Sequence, residues 1–187
     1  MESIIQNIEV KAFNDDTGEF EGYASTFGNV DNGKDICVKG CFDESLIEME
    51  KSGTMPGMFW QHDKAEPIGE WLSMATDSKG LYVKGRLWIK QGIQRADQAY
   101  KMIKSKGPKG LSIGFIAKSV KKIAGGIREI VKASLIETSV VTFPMNEKAV
   151  ILSVKAAEDQ QIADMKQRIR DHLAMNFIQK NIDTLTA

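Results

Sequence analysis

Short apolar runs separated by turn-forming residues fill the first 154 positions of this chain and restrict its fold more than any other feature. Clusters of glycine, asparagine, aspartate and proline interrupt the runs, and such clusters typically mark tight connections between strands. Strands are therefore predicted at residues 4–12, 19–25, 35–38, 58–62, 67–75, 81–89, 112–122, 127–133, 135–142 and 149–154. Residues 4–12 with 19–25, and 67–75 with 81–89, are expected to form antiparallel hairpins.

Two segments of the same region have the apolar spacing of a helix instead. Residues 43–51 are followed by Gly53, and residues 91–106 are followed by Gly107, where a helix is expected to stop. The fold class predicted for residues 1–154 is therefore α+β and rich in β-structure, with a mostly antiparallel sheet or barrel and a few helices.

The composition changes at the end of this region. Residues 156–187 contain no glycine or proline, and Ile162, Met165, Ile169 and Phe177 trace one face of a helix. We therefore predict two units: a domain at residues 1–154 and a C-terminal amphipathic helix at residues 155–187. The helix either packs or dimerises, or serves as a targeting segment that is later removed.

The charge balance excludes several classes of partner. Lys and Arg number 25, Asp and Glu also number 25, and the formal net charge is zero, which is unlike a nucleic-acid-binding protein. No apolar run reaches the length of a membrane span, and the first residues do not begin a signal peptide. We expect a protein that works in a cytoplasm, without a nucleic-acid or membrane partner.

Cysteines and histidines are few. Cys37 and Cys41 are the only cysteines, and His62 and His172 are the only histidines. These are too few for a disulfide framework and give a metal site too few ligands. No metal or other cofactor is predicted, and the cysteines are interpreted as small packing residues beside a turn.

Ser112 lies between two glycines at the start of an alternating apolar run, in the sequence Gly-Leu-Ser-Ile-Gly. A small, accessible hydroxyl near free backbone N–H groups suits a nucleophile, because its attack creates an oxyanion that such donors stabilise. The same pattern is also typical of a tight entry into a strand. The motif therefore indicates a nucleophile only if a base and an orienting group accompany it.

Two further residues supply candidates for those roles. His62 is the only histidine of the first 154 residues; it ends an apolar strand and precedes an expected polar loop at residues 63–66, so it is the candidate base. The alternative is a structural histidine. Glu137 lies inside a strand where an apolar residue would be expected, so it is either paired or on a solvated face that it shares with Ser139. A carboxylate that orients the base would complete a nucleophile, base and acid set.

The chain resembles the prohead (capsid maturation) protease family of tailed bacteriophages, which is related in fold to the herpesvirus capsid-assembly proteases. The resemblance covers about residues 10–154 and rests on the order and spacing of several motifs rather than on any one of them. The motifs are EGYASTFGN at 21–29 with Asp31 and Asp35, GCF at 40–42, WQHD at 60–63 with PIG at 67–69, GLSIGF at 110–115, and ETSVVTFPMN at 137–146.

The resemblance implies a serine endopeptidase that cleaves the scaffold segment of the major capsid protein, and often itself, inside the assembling procapsid. This places the protein in the cytoplasm of a bacterial host, and we also expect a homo-oligomer. His62 is implied as the base and Ser112 as the nucleophile. Herpesvirus proteases use a second histidine as the third member, but His172 lies outside the matched region. Glu137 is therefore the candidate acid, and Asp63, which adjoins the base, is the alternative.

Some features of the implied site stay open. Cys41 and Met145 stand where the family usually has alanine, which concerns packing rather than catalysis. Backbone N–H groups near Ile113 and Gly114 are candidate oxyanion donors. Three cations are candidates to assist them: Lys118, Lys121 and Arg128.

Two other functions compete with the protease. A catalytically silent capsid-assembly or scaffold protein could keep the same fold and use the C-terminal segment as its contact. A serine esterase is less consistent with the sequence, because a strand pattern follows Ser112 where the nucleophile elbow of esterases requires a helix.

Overall fold

The computed structural model describes residues 17–105 and 110–153 of the chain. The predicted strand at 4–12 and the predicted helix at 155–187 lie outside the described residues, so the opening hairpin and the C-terminal helix stay predictions. No helix within the described part of the chain is both long and apolar enough to cross a membrane.

The described residues form eight strands, two α-helices and one short 3-10 helix at Ala124–Gly126. The helices are α1, Asp43–Ser52, and α2, Gln94–Lys104. The strands are β1 Glu19–Thr26, β2 Asp35–Cys37, β3 Gly57–Trp60, β4 Asp63–Thr76, β5 Gly80–Leu87, β6 Gly110–Lys122, β7 Arg128–Val141 and β8 Ile151–Ser153. The β-rich α+β class predicted from the sequence is confirmed.

All eight strands belong to one curled sheet, in the order β2-β7-β3-β4-β5-β1-β8, and β6 pairs with β7. The curl brings the start of β6 to the segment that precedes β8, where the Leu111 N–H donates to the Ala149 carbonyl at 3.1 Å. Most pairs are antiparallel as expected, but β2 and β3 each run parallel to β7. Strand β7 thus pairs with three strands: β2, β3 and β6.

The predicted break between strands 127–133 and 135–142 is wrong, because β7 runs without interruption through Ser134. Ser134 is only half-buried and pairs with Ile116 of β6, while Ala133 and Leu135 on either side are buried in the core. Main-chain pairing with β6 therefore carries the strand through a polar residue that interrupts the apolar run.

Both helices are confirmed, with small changes at their ends. Gly53 ends α1 in the left-handed conformation at φ 64°, as its position predicts. Helix α2 begins three residues later than expected because Gly92 has φ 80° and Ile93 is extended. The core between the helices and the sheet contains Phe42, Met58, Ile68, Leu81, Leu87, Ile103, Leu111 and Val140, all buried. Cys37 and Cys41 are buried free thiols, in agreement with a packing role.

Candidate active site

Strand β7 presents two polar side chains between its neighbours β6 and β3. Glu137 pairs with Gly114 of β6, and Ser139 pairs with Ser112 of the same strand. Residues two apart on a strand, and residues directly opposite on an antiparallel neighbour, share one face of the sheet. Ser112, Gly114, Glu137 and Ser139 therefore lie on the same face, and Ser112 is beside Ser139.

His62 reaches this face from a tight turn. Trp60 at the end of β3 pairs with Asp63 at the start of β4, which leaves Gln61 and His62 as the two central residues of the connection. Both have positive φ, 53° and 65°, as a type I′ hairpin turn requires. Such conformations are strained for residues other than glycine and occur often at functional sites. The expected polar loop after His62 is instead the beginning of β4.

Gln61 anchors this turn to the end of β7. Its N–H donates to the Val140 carbonyl at 3.0 Å, and its side-chain amide exchanges hydrogen bonds with Thr142 at 3.3 Å. Sequence reasoning did not identify this role. The strained turn is therefore held against β7, which sets the position of the His62 side chain.

Glu137 contacts His62 directly. The distance from Glu137 Oε1 to His62 Nδ1 is 2.5 Å, and the Ser139 hydroxyl donates to Glu137 Oε2, also at 2.5 Å. The Glu137 side chain is 6% exposed, so the solvated-face interpretation is wrong, and Ser139 is fully buried beside it. Each carboxylate oxygen thus has a partner, which is how a buried charge is tolerated.

The contact with Glu137 also affects the pKa and the tautomer of the His62 imidazole. The hydrogen bond to Glu137 raises the pKa of His62, its negative charge acts in the same direction, and partial burial opposes both. A neutral His62 that donates from Nδ1 to the carboxylate keeps the lone pair of Nε2 available. The geometry therefore suits a base that acts through Nε2.

Ser112 and His62 line one cavity of about 580 Å³. Ser112 is 4% exposed, and within the described residues no hydrogen bond joins its hydroxyl to His62. Catalytic hydrogen bonds are often long without substrate and shorten when it binds. The structure thus places all three predicted residues at one site, with the base and acid in contact and the serine in the same cavity.

The other predicted candidates lie differently. Asp63 is exposed, and its Oδ1 accepts the N–H of Ala65 at 2.9 Å. The three cations each face a carboxylate: Lys118 with Glu48 at 3.8 Å, Lys121 with Glu129 at 3.3 Å, and Arg128 with Asp35 at 2.5 Å. Ile113 and Gly114 do line the cavity, as does Arg128. No cluster of metal-ligating side chains is found in the described ranges.

Replacement of Asp63 by asparagine is expected to leave cleavage activity within about threefold of wild type, since exposed polar substitutions have small effects. Asparagine keeps an oxygen that can accept the Ala65 N–H, so the turn should persist. Initial rates of peptide cleavage, the activity that the resemblance implies, would measure this. A loss comparable to that caused by changing Glu137 would make Asp63 the orienting acid.

Gly114 has a role that its sequence position only partly indicates. A Cβ built on Gly114 would lie 2.4 Å from Glu137 Oε1 and 3.0 Å from the carbons of that side chain. The carboxylate therefore lies directly over the Gly114 backbone, and only glycine leaves it room. A glycine inside a strand signals such a close approach, but it does not reveal what approaches.

A Gly114→Ala substitution is expected to lower the cleavage rate by about 100-fold or more, because displacement of a positioning group by about 1 Å has that effect. The methyl group would push the Glu137 carboxylate away from His62 and Ser139. Cleavage kinetics and the melting temperature of the variant would separate this effect from unfolding.

A Glu137→Ala background provides the matched control, since the added methyl then has no carboxylate to displace. In that background the same Gly114→Ala change should have little further effect. If the fold-loss in rate of the double variant equals the product of the fold-losses of the two single variants, Gly114 does not act through Glu137.

The sequence and fold match known proteins. The family described as caudovirus prohead serine protease matches residues 6–168. The prohead protease of Enterobacteria phage HK97 is 37% identical over 163 residues, which are 84% of this chain and 70% of that protein. A capsid polyprotein of Pseudomonas phage PAJU2 is 34% identical over 163 residues, 83% of this chain but 23% of that protein.

One solved structure supports the fold. The bacteriophage T4 capsid assembly protease matches with a TM-score of 0.57 and 14% identity, over 67% of this chain and 82% of that one. The match to a KSHV protease has a TM-score of only 0.41, so the herpesvirus type of the sheet stays a prediction. The family match spans most of the chain, and the HK97 relative is named a prohead protease. This chain belongs to the caudovirus prohead serine protease family.

Proposed function

We propose that this chain is a serine endopeptidase that cleaves the major capsid protein within its scaffold segment during prohead maturation. The observation that carries the proposal is the buried Glu137 carboxylate, held between Ser139 and His62, in contact with a base that shares its cavity with Ser112. Similarity to a prohead protease and to a capsid polyprotein supports a capsid protein as the substrate.

The proposed mechanism is acyl transfer. His62 Nε2 removes the Ser112 proton as the hydroxyl oxygen attacks the peptide carbonyl carbon, and the resulting imidazolium is stabilised by Glu137. The imidazolium then gives the proton to the leaving amine as the peptide bond breaks, which leaves an acyl-enzyme. Water attacks the ester with His62 again as base, and Ser112 regains its proton as the new carboxyl terminus is released.

Nucleophilic serines react with fluorophosphonates, which gives a direct test. The full-length protein would be treated with a fluorophosphonate and digested, and the modified peptide sequenced by mass spectrometry. We expect modification at Ser112 and none in a His62→Ala variant, because the hydroxyl then lacks its base. No modification of the wild-type protein would favour a catalytically silent assembly protein, and modification at Ser139 instead would contradict the assignment of Ser112 as the nucleophile.

We further propose that residues 1–154 form the protease and that residues 155–187 direct it into the procapsid of an infected bacterium. The junction Lys155-Ala156-Ala157-Glu158 consists of small and polar residues at the composition break and is a candidate for self-cleavage. Intact mass spectrometry of the active protein and of Ser112→Ala, both purified under assembly conditions, would test this. Identical masses would exclude removal of the segment by self-cleavage.

A further inference from the structure

The cavity that contains Ser112 and His62 also has a charged wall. Three of its lining residues carry a formal charge at neutral pH: Asp31, Asp35 and Arg128. Asp31 belongs to the loop between β1 and β2, Asp35 begins β2, and Arg128 begins β7. The carboxylates that face a substrate here are thus separate from Glu137, which does not line the cavity within the described residues.

Asp35 and Arg128 neutralise each other. The Arg128 Nε donates to Asp35 Oδ1 at 2.6 Å, and a terminal nitrogen of the guanidinium donates to Oδ2 at 2.5 Å. Such bidentate pairs are the strongest form of ion pair between these groups. Asp35 is also buried, so its charge is taken up by Arg128 and not by a ligand. Asp31 therefore leaves the wall with one uncompensated negative charge.

The Asp31 carboxylate is held in place with one oxygen free. Its Oδ1 accepts the N–H groups of Gly33 and Asp35, both at 2.8 Å. In the part of the chain that the structure describes, no donor reaches Oδ2. The loop itself is fixed, because the Asn32 N–H donates to the Met145 carbonyl at 3.0 Å. Partial burial and the neighbouring Asp35 charge raise the pKa of Asp31, and the backbone hydrogen bonds and the Arg128 charge offset this only in part.

Apolar side chains line the same cavity as this carboxylate. Phe143, which is 87% exposed, and Met145, which is 53% exposed, line the same cavity. A long side chain with an apolar stem and a cationic tip matches both features, since the stem can pack on Phe143 and Met145 while the tip reaches Asp31. Among natural side chains this description fits lysine and arginine.

We infer that Asp31 is a specificity residue that binds a lysine or arginine side chain of the substrate polypeptide close to the bond that Ser112 cleaves. The inference rests on the proposed function in naming a polypeptide substrate. Asp31 touches substrate and not the reacting atoms, so its loss should change which sequences are bound and cleaved rather than the chemistry at Ser112.

The test uses full-length protein with Ser112→Ala, so that binding is measured without turnover. Immobilised protein is offered a pool of hexapeptides that differ in carrying lysine, arginine, norleucine or glutamate at one varied position, and the retained peptides are quantified by mass spectrometry. We expect lysine and arginine peptides to be enriched about 10-fold or more over norleucine peptides, as a charge-assisted hydrogen bond allows. The preference should disappear with Asp31→Asn.

Asparagine is the informative replacement because its carbonyl oxygen can still accept the N–H groups of Gly33 and Asp35, so the loop should keep its conformation. Glu50→Gln, on the exposed side of α1 and outside the cavity, removes one negative charge as a matched control and should keep the preference. Equal retention of lysine and norleucine peptides, or a preference that survives Asp31→Asn, would overturn the inference.

The same pool is then treated with protein that retains Ser112, and new termini are sequenced. Cleavage next to basic residues that is lost with Asp31→Asn supports both the inference and the protease function. Cationic binding through Asp31 without any cleavage would leave the binding site standing and refute the protease function. Cleavage without a basic preference would refute the inference alone.

Discussion

Replacement of Ser112 by alanine is expected to abolish cleavage of the major capsid protein, with a fall in rate of roughly 10⁶-fold, the scale seen when a catalytic serine is removed. The hydroxyl lines the cavity that also holds His62, and no other group of the proposed mechanism can form the acyl-enzyme. Co-expression with the cognate capsid protein, followed by electrophoresis and mass spectrometry of the product, would measure the loss.

Ser119→Ala is the matched control, because Ser119 lies exposed on the same strand, β6. It should process the capsid protein like wild type, which separates loss of the nucleophile from any effect of a serine-to-alanine change on β6. Removal of the base by His62→Ala should cost about as much as Ser112→Ala, since residues of such a set act as a unit. Processing that persists in both variants would refute the assignment.

Replacement of Glu137 by glutamine is expected to lower the rate by roughly 10⁴-fold, as loss of the orienting carboxylate does in enzymes of this type. Glutamine has nearly the same size, so the cavity and the Gly114 contact should be little changed. The negative charge that stabilises the imidazolium is lost, and an amide NH2 turned toward Nδ1 would favour the wrong tautomer of the imidazole. Steady-state cleavage kinetics would show the fall mainly in kcat.

The pH dependence of cleavage should also change in the Glu137→Gln variant. Glu137 raises the pKa of His62 above its ordinary value of about 6.5, and the base is active only when neutral, so wild-type cleavage should fall as the pH drops through that raised pKa. In Glu137→Gln the pKa of His62 should decrease, because partial burial then lowers it unopposed. The acidic limb of the residual activity should therefore move to lower pH.

Glu50→Gln, an exposed carboxylate change on α1, should leave both the rate and the pH profile unchanged. A Glu137→Gln variant with low activity but an unmoved acidic limb would mean that Glu137 supports the fold and not the protonation of His62. Melting temperatures of both variants would show whether the buried amide destabilises the protein.

Spacing of apolar residues was sufficient to predict α1, α2, β6 and the hairpin of β4 and β5 to within a few residues. Each of these elements depends on residues that are close in sequence and ends near a glycine or proline. The continuous β7 was not predictable in this way, since its passage through Ser134 depends on pairing with the distant strands β6, β2 and β3. The parallel pairing of β7 with β2 and β3 was not predictable either, because it also joins residues that are distant in sequence.

The sequence by itself determined which groups are available for chemistry. Residues 1–154 offer one histidine, one serine between two glycines, and Glu137 at a strand position where an apolar residue would be expected. It also indicated that Ser112 opens a strand, which β6 confirms. It did not decide between Glu137 and Asp63, because Asp63 is adjacent to His62 while Glu137 is 75 residues away.

Only the tertiary structure decided between those two carboxylates. Strand β7 runs beside β3 and β6, and the strained turn at Gln61 and His62 leads back over it, so the imidazole meets Glu137. Asp63, next to His62 in the chain, accepts the Ala65 N–H instead and stays exposed. Sheet register, which no local pattern contains, selects the partner of the histidine and also places Ser139 and Gly114 around it.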